Sequence, residues 1–195
     1  MNAKFLAARF DLIAIGCSAG GFDLLNDLLP RLPADFPAAI AVVIHIAPAS
    51  RNGIVEVLAP KCRLPLKEAE DKELVRPATI YFAPPGYHLL VEPDRRFTLS
   101  VDEPVNYSRP SIDVLFESAA IAYRERLLGI LLSGANSDGA AGLQSIRNLK
   151  GKIFVQDPKE ATHPEMPRAA LDLGPADAVV SLEDLYRFVG GSALG

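Results

Sequence analysis

Residues 38–46 are apolar nearly throughout up to His45, with Ile40, Val42, Val43 and Ile44 on consecutive or alternate positions. A strand with apolar side chains on both faces needs cover on both faces, which a parallel sheet with helices packed above and below supplies. Shorter β-branched runs repeat the theme at residues 12–16, 79–82, 127–133, 153–156 and 178–180. Between them lie segments of helical period. In residues 22–29, Phe22, Leu25, Leu28 and Leu29 fall on one face, and a short helix fits 52–59. Pro110 opens a helix with Ile112, Leu115, Phe116, Ala119 and Tyr123 on one face and Asp113 in its first turn, where the helix dipole favours a carboxylate.

Leu143, Ile146 and Leu149 mark a helix running toward Gly151 as a C-cap. A helix at 167–173 stops at Gly174-Pro175, and Ser181 with Asp184 forms a capping box for the last helix. Residues 88–92 and 97–101, flanking Pro93-Asp94-Arg95-Arg96, read as a hairpin. The expected fold is an α/β three-layer sandwich: a mostly parallel sheet flanked by helices, with a local antiparallel hairpin.

A chain of 195 residues with 49% apolar and 23% charged side chains can bury one large core. Its formal charge of −4 supplies no basic stripe, so nucleic acid and anionic membrane surfaces are poor partners. No stretch reaches the roughly 18–20 apolar residues of a membrane-spanning helix, and Arg9 and Asp11 interrupt the apolar run before Gly16-Cys17, so direct membrane insertion is not expected. Two cysteines, Cys17 and Cys62, are too few for a disulfide framework, which suits a cytoplasmic protein; neither a metal nor an organic cofactor is expected.

Three polar residues stand at strand ends, where an open parallel sheet binds ligands. Ser18 lies in Gly16-Cys17-Ser18-Ala19-Gly20-Gly21, a glycine-rich strand-to-helix turn that matches the nucleophile-elbow pattern G-x-S-x-G; the same turn could instead cradle phosphate. Backbone N–H groups at the helix start can stabilise an oxyanion. His45 closes the second apolar run. Asp138 sits at another strand-to-helix junction, where it could also serve as an N-cap. A nucleophile, a base and an orienting acid on one sheet edge form a hydrolytic triad. The chain order Ser, His, acid and the early position of Ser18 argue against an α/β-hydrolase, and the glycine spacing argues against a dinucleotide fold.

At these residues the chain resembles a known family, the catalytic domain of the CheB-type protein-glutamate methylesterases of bacterial chemotaxis. Residues 15–21 are similar to its I-G-A-S-T-G-G, residues 43–48 to its Q-H-M-P strand end, and residues 132–142 to L-T-G-M-G-x-D-G-A-x-G. Residues 81–88 resemble Y-I-A-P-G-G-x-H, residues 109–116 resemble R-P-S-V-D-V-L-F, and residues 156–170 echo a Q-D-x and M-P-x-A-A segment. The likeness runs in order over residues 11–190, with 1–10 and 191–195 as tails and no receiver domain in this chain.

The resemblance implies hydrolysis of glutamyl methyl esters on a methyl-accepting chemotaxis receptor or a related methylated protein, and in some members deamidation of glutamine. It implies Ser18 as nucleophile, His45 as general base then acid, and Asp138 as the acid that orients His45. Ala19, Ala135 and Arg109 fall in the substrate and oxyanion neighbourhood, and His88 supports a loop. Ala19 replaces the family's Thr, Ile44 its Gln, and Ala135-Asn136 its Met-Gly, where Asn136 would tolerate a left-handed backbone. These changes leave open a second reading, a catalytically weak relative that acts as a binding or scaffold domain. His163 reads as a surface loop residue.

Overall fold

The computed structural model describes residues 7–45 and 53–190. Nine strands are β1 (Leu12–Cys17), β2 (Ala39–Ile44), β3 (Leu66–Glu68), β4 (Ile80–Phe82), β5 (His88–Val91), β6 (Phe97–Ser100), β7 (Leu127–Leu131), β8 (Lys152–Gln156) and β9 (Ala178–Val180). Helices are α1 (Gly21–Leu28), α2 (Ile54–Leu58), α3 (Ile112–Tyr123), α4 (Ala140–Asn148), α5 (Glu165–Asp172) and α6 (Leu182–Gly190). Seven strands form one sheet in the order β3-β4-β2-β1-β7-β8-β9, every neighbouring pair parallel. β5 and β6 form the expected antiparallel hairpin, with His88 opposite Ser100 and Val91 opposite Phe97.

The period-2 alternation of strand side chains divides the core in two. Ile13, Ile15, Ile40, Val42, Leu128 and Ile130 face one layer, where Leu25 of α1, Leu58 of α2 and Phe188 of α6 are buried. Leu12, Ala14, Ala41, Val43, Leu127 and Leu131 face the other, against Phe116 of α3, Leu143 of α4, Met166 of α5 and the hairpin residues Leu89 and Phe97. The central strands β1, β2 and β7 are buried along their whole length, as a doubly covered sheet requires.

Three local readings change. β3 is an additional edge strand, pairing Leu66 with Ile80. Only three residues long, with Lys67 and Glu68 in it, it has no apolar run to mark it. Gly151 is not the left-handed C-cap of α4. Lys150 takes that conformation (φ 68°), and the N–H groups of Lys150 and Gly151 return to the carbonyls of Arg147 and Ile146. Glycine is needed at 151 because a Cβ there would stand 2.6 Å from Ile146 Cγ2 and 3.0 Å from the Arg124 carbonyl oxygen. Pro110 lies outside α3, whose N-cap is Ser111. Asn136 is not among the left-handed residues. The capping box holds: Asp184 N–H donates to Ser181 Oγ (3.0 Å) and Ser181 N–H to Asp184 Oδ2 (3.1 Å).

Candidate active site

Ser18, His45 and Asp138 follow β1, β2 and β7, three adjacent strands that all end on the same edge. The chain order reverses about β1, and the crevice beyond such a switch point is where open α/β sheets bind ligands. Ser18 and His45 lie one register step beyond the Cys17–Ile44 pair, and the ladder continues through them: His45 N–H donates to Cys17 C=O (3.1 Å) and Ser18 N–H to Ser133 C=O (2.9 Å). Between Ser18 and α1 the chain turns through Gly20 at φ 79°, a left-handed conformation natural to glycine.

Ser133, absent from the sequence-level site, fixes that turn. Its buried hydroxyl donates to Ala19 C=O (2.8 Å) and accepts from His163 N–H (2.9 Å). The His163 carbonyl in turn accepts from Gly134 N–H (3.1 Å), so the His163 loop is tied to the site by its backbone. Gly134 permits the close approach of the β7 end to Ser18: a Cβ at 134 would stand 3.0 Å from Ser18 Cβ. Among the described residues no hydrogen bond takes up the backbone N–H of Ala19, which follows Ser18 in the chain, or that of Ala135.

Asp138 is fully buried and very densely hydrogen-bonded. Oδ2 accepts from Ile112 N–H (2.7 Å), and Oδ1 from Ser111 Oγ (2.9 Å), Asp113 N–H (3.1 Å), Asn106 Nδ2 (3.1 Å) and its neighbour Gly139 N–H (3.1 Å). The carboxylate therefore caps the N-terminus of α3, a helix distant in sequence, as well as the turn into α4. Burial opposes its ionisation most strongly. The contact with His45 and the donations from Ile112, Asp113 and Asn106 outweigh it and hold the carboxyl down to about 2.

His45 Nε2 lies 2.9 Å from Asp138 Oδ2, off the line of the ring N–H. The other ring nitrogen, Nδ1, is 3.5 Å from Asn136 Nδ2. The amide orientation of Asn136 follows from its oxygen, which accepts from Asp138 N–H (3.1 Å). Among the described residues no hydrogen bond joins Ser18 Oγ to the ring; catalytic hydrogen bonds are often long or bent before substrate binds.

A cleft of about 240 Å³ opens beside the ring, lined by Ile44, His45, Phe82, Pro85, Tyr107 and Arg109 among others. Arg109 both lines it and holds its wall, its Nη1 donating to the carbonyls of Val101 (2.7 Å) and Asp102 (2.9 Å). Ser18, Ala19 and Ala135 are not among its lining residues. Buried His88 braces the same wall: Nδ1 accepts from Ser111 N–H (3.2 Å), so Nε2 carries the proton toward Glu103 C=O (3.1 Å).

Asp113 does more than answer the helix dipole. Its Oδ1 accepts from Gly142 N–H (2.6 Å), joining α3 to α4, and Oδ2 accepts from Asn106 Nδ2 (2.8 Å). Burial pushes its carboxyl up to about 6; the Gly142 and Asn106 donations act against that shift, and the Asp138 charge adds to it. Cys17, next to the serine, is fully buried with its thiol pushed far up by desolvation, so it is no competing nucleophile. Among the described residues no group of His, Cys, Asp and Glu side chains could hold a metal ion, and no helix is long and apolar enough to cross a membrane. Ile46, Ala47, Pro48 and Asn52 lie outside the described residues.

The sequence profile of the CheB methylesterase family matches residues 13–189. This chain belongs to that family. A Leptospira interrogans relative is 46% identical over 177 residues, spanning 91% of this chain and 92% of its own length. A relative from Anaeromyxobacter dehalogenans, named protein-glutamate methylesterase/protein-glutamine glutaminase 2, is 40% identical over 181 residues, and the match covers 93% of this chain but 53% of that protein. Among solved structures, the CheB methylesterase catalytic domain of Thermotoga maritima superposes with a TM-score of 0.86 at 30% identity, covering 92% of this chain and 97% of that one. The CheB fold thus accounts for the seven-stranded parallel sheet and the separate hairpin together.

Proposed function

We propose that this CheB-family chain is a protein-glutamate methylesterase, with Ser18, His45 and Asp138 as its triad and residues 11–190 as the catalytic unit. The observation that carries the reading is the convergence of these residues on one edge of three adjacent parallel strands, with His45 held against a buried, ionised Asp138. The substrates are glutamyl methyl esters of a methyl-accepting chemotaxis receptor, and the same chemistry on a glutamine side chain would release ammonia in place of methanol. Such an enzyme works in the cytoplasm, where the free thiols Cys17 and Cys62 stay reduced.

With Nε2 turned to Asp138, Nδ1 is the ring nitrogen left to serve Ser18. Ser18 Oγ attacks the ester carbonyl carbon as its proton passes to His45 Nδ1. The carbonyl oxygen becomes an oxyanion, which free backbone N–H groups such as those of Ala19 and Ala135 can stabilise. As the tetrahedral adduct collapses, the C–OCH₃ bond breaks and Nδ1 returns the proton to the departing methoxide, giving methanol and an acyl-Ser18 ester. Water, deprotonated by Nδ1, then attacks the acyl carbon and releases glutamate and Ser18. Asp138 stays ionised throughout and stabilises the imidazolium.

Intact-mass analysis after exposure to a fluorophosphonate tests the nucleophile. One adduct per chain, mapped to Ser18 and lost in Ser18→Ala, supports the reading; an unlabelled chain, the outcome expected of a scaffold domain, overturns it.

A further inference from the structure

The carboxamide of Asn106 stands between two buried carboxylates. Its Nδ2 is 2.8 Å from Asp113 Oδ2 and 3.1 Å from Asp138 Oδ1, so both amide hydrogens are given to acids. Ionised carboxylates only accept, which fixes the amide with its nitrogen toward them. Asn106 immediately precedes Tyr107, Ser108 and Arg109, which line the cleft, and its own side chain reaches Asp138. The other donors come from Ser111, the first turn of α3 and Gly139, whereas Asn106 arrives from the loop that carries Tyr107 and Arg109 at the cleft.

The backbone supports this placement. Val105 and Ser108 exchange hydrogen bonds across a tight turn whose central residues, Asn106 (φ 50°) and Tyr107 (φ 61°), are both left-handed. Asn is among the residues that tolerate that conformation, and it does so while directing its side chain inward. Without the amide, Asp113 Oδ2 and Asp138 Oδ1 would lose the one side chain that, among the described residues, donates to both. The repulsion would be relieved by protonation of one or by rotation of Asp138, and either would alter the acceptor that holds His45.

We propose that Asn106 is a positioning residue for the reaction, bridging Asp113 and Asp138 so that the acid keeps its orientation toward His45. The proposal rests on the triad reading. It predicts that loss of the amide lowers turnover through Asp138 without weakening substrate binding.

Two variants of the full chain separate this from a role in the turn alone. Asn106→Gly keeps a residue suited to the left-handed turn and removes the amide. Asn106→Asp keeps the size and turn preference but presents an acceptor where a donor is needed. The rate of fluorophosphonate labelling at Ser18 reports the triad without any natural substrate, and methanol release from a methyl-esterified receptor gives kcat and KM. Labelling rate and kcat should both fall about 10- to 100-fold in Asn106→Gly, with KM within about twofold of wild type. Asn106→Asp should fall at least as far. Wild-type rates in either variant, or a loss confined to KM, would overturn the proposal while leaving the triad intact. A wild-type Ser18 that does not label overturns both.

Discussion

Asp138 meets His45 through Nε2, at 2.9 Å from Oδ2, while the other ring nitrogen, Nδ1, lies 3.5 Å from Asn136 Nδ2. In the common serine-hydrolase arrangement the acid holds Nδ1 and Nε2 faces the nucleophile. The proton logic is unchanged: one nitrogen must carry the proton toward the carboxylate so that the other presents a lone pair. What differs is the surroundings of that lone pair, because Nδ1 here also faces the amide of Asn136.

The first expectation concerns Asp138 itself. On the proposed triad, Asp138→Asn would offer a donor where Nε2–H needs an acceptor, lowering turnover by about 10⁴ as such a swap does in triad hydrolases. Unlike Ser18→Ala, it should also cost about 1–2 kcal/mol of stability, because the carboxylate caps α3 through Ile112 and Asp113 N–H. The folded carboxyl lies below its unfolded value of 3.8, so this stability is present above about pH 4 and lost as pH falls toward 2. Urea melts of both variants across that range check it; equal stabilities at neutral pH would contradict the cap.

Asn136 should restrain the reaction. In the proposed mechanism Nδ1 accepts the Ser18 proton, and the Asn136 amide nitrogen lies 3.5 Å from it, so Asn136→Gly, which gives up that contact together with the bond from Asp138 N–H, should raise the fluorophosphonate labelling rate by about 2- to 10-fold. An unchanged or slower rate would show that the amide does not compete for Nδ1.

Asp113 gives a pH dependence of the opposite sign. Its carboxyl is pushed up to about 6 from 3.8, so ionisation is less favourable in the folded chain than in the unfolded one. Its contribution is fully present below about pH 4 and declines as pH rises through 6. The stability of wild type minus that of Asp113→Asn should therefore fall between pH 4 and pH 7, by on the order of 1 kcal/mol or more. Denaturant melts at four pH values measure it, and a difference that stays level or rises would contradict the assignment.

Histidine substitutions discriminate among the three imidazoles. His45→Ala should abolish turnover, and its effect should not add to that of Ser18→Ala, because triad members act as a unit. His163→Ala should cost little, since the hydrogen bonds tying His163 to Ser133 and Gly134 come from its backbone. His88→Ala should loosen the loop over Arg109 and raise KM. Steady-state kinetics on the three variants decide, and a catalytic loss in His163→Ala larger than in His45→Ala would reverse the roles.

The sheet was readable because its central strands are apolar on both faces and each stops at a polar residue, so strand ends and candidate chemistry coincided at Ser18, His45 and near Asp138. The hairpin and the Ser181–Asp184 box were readable from local turn and cap chemistry. β3 was not, since edge strands carry charge and can be three residues long. Lys150 in place of Gly151 as the left-handed residue was hidden because tertiary crowding, not φ, selects the glycine. The anchoring of Asp138 could not be read at all: Asn106, Ser111 and Ile112 reach it across 26–32 residues of chain, through contacts that no spacing rule encodes.

The most direct test of the account is methanol release from a methyl-esterified receptor by the purified chain, wild type against Ser18→Ala. The account predicts steady release by wild type and loss of all catalysed release in the variant, with the variant's thermal stability essentially unchanged. Equal release by the two proteins would contradict it.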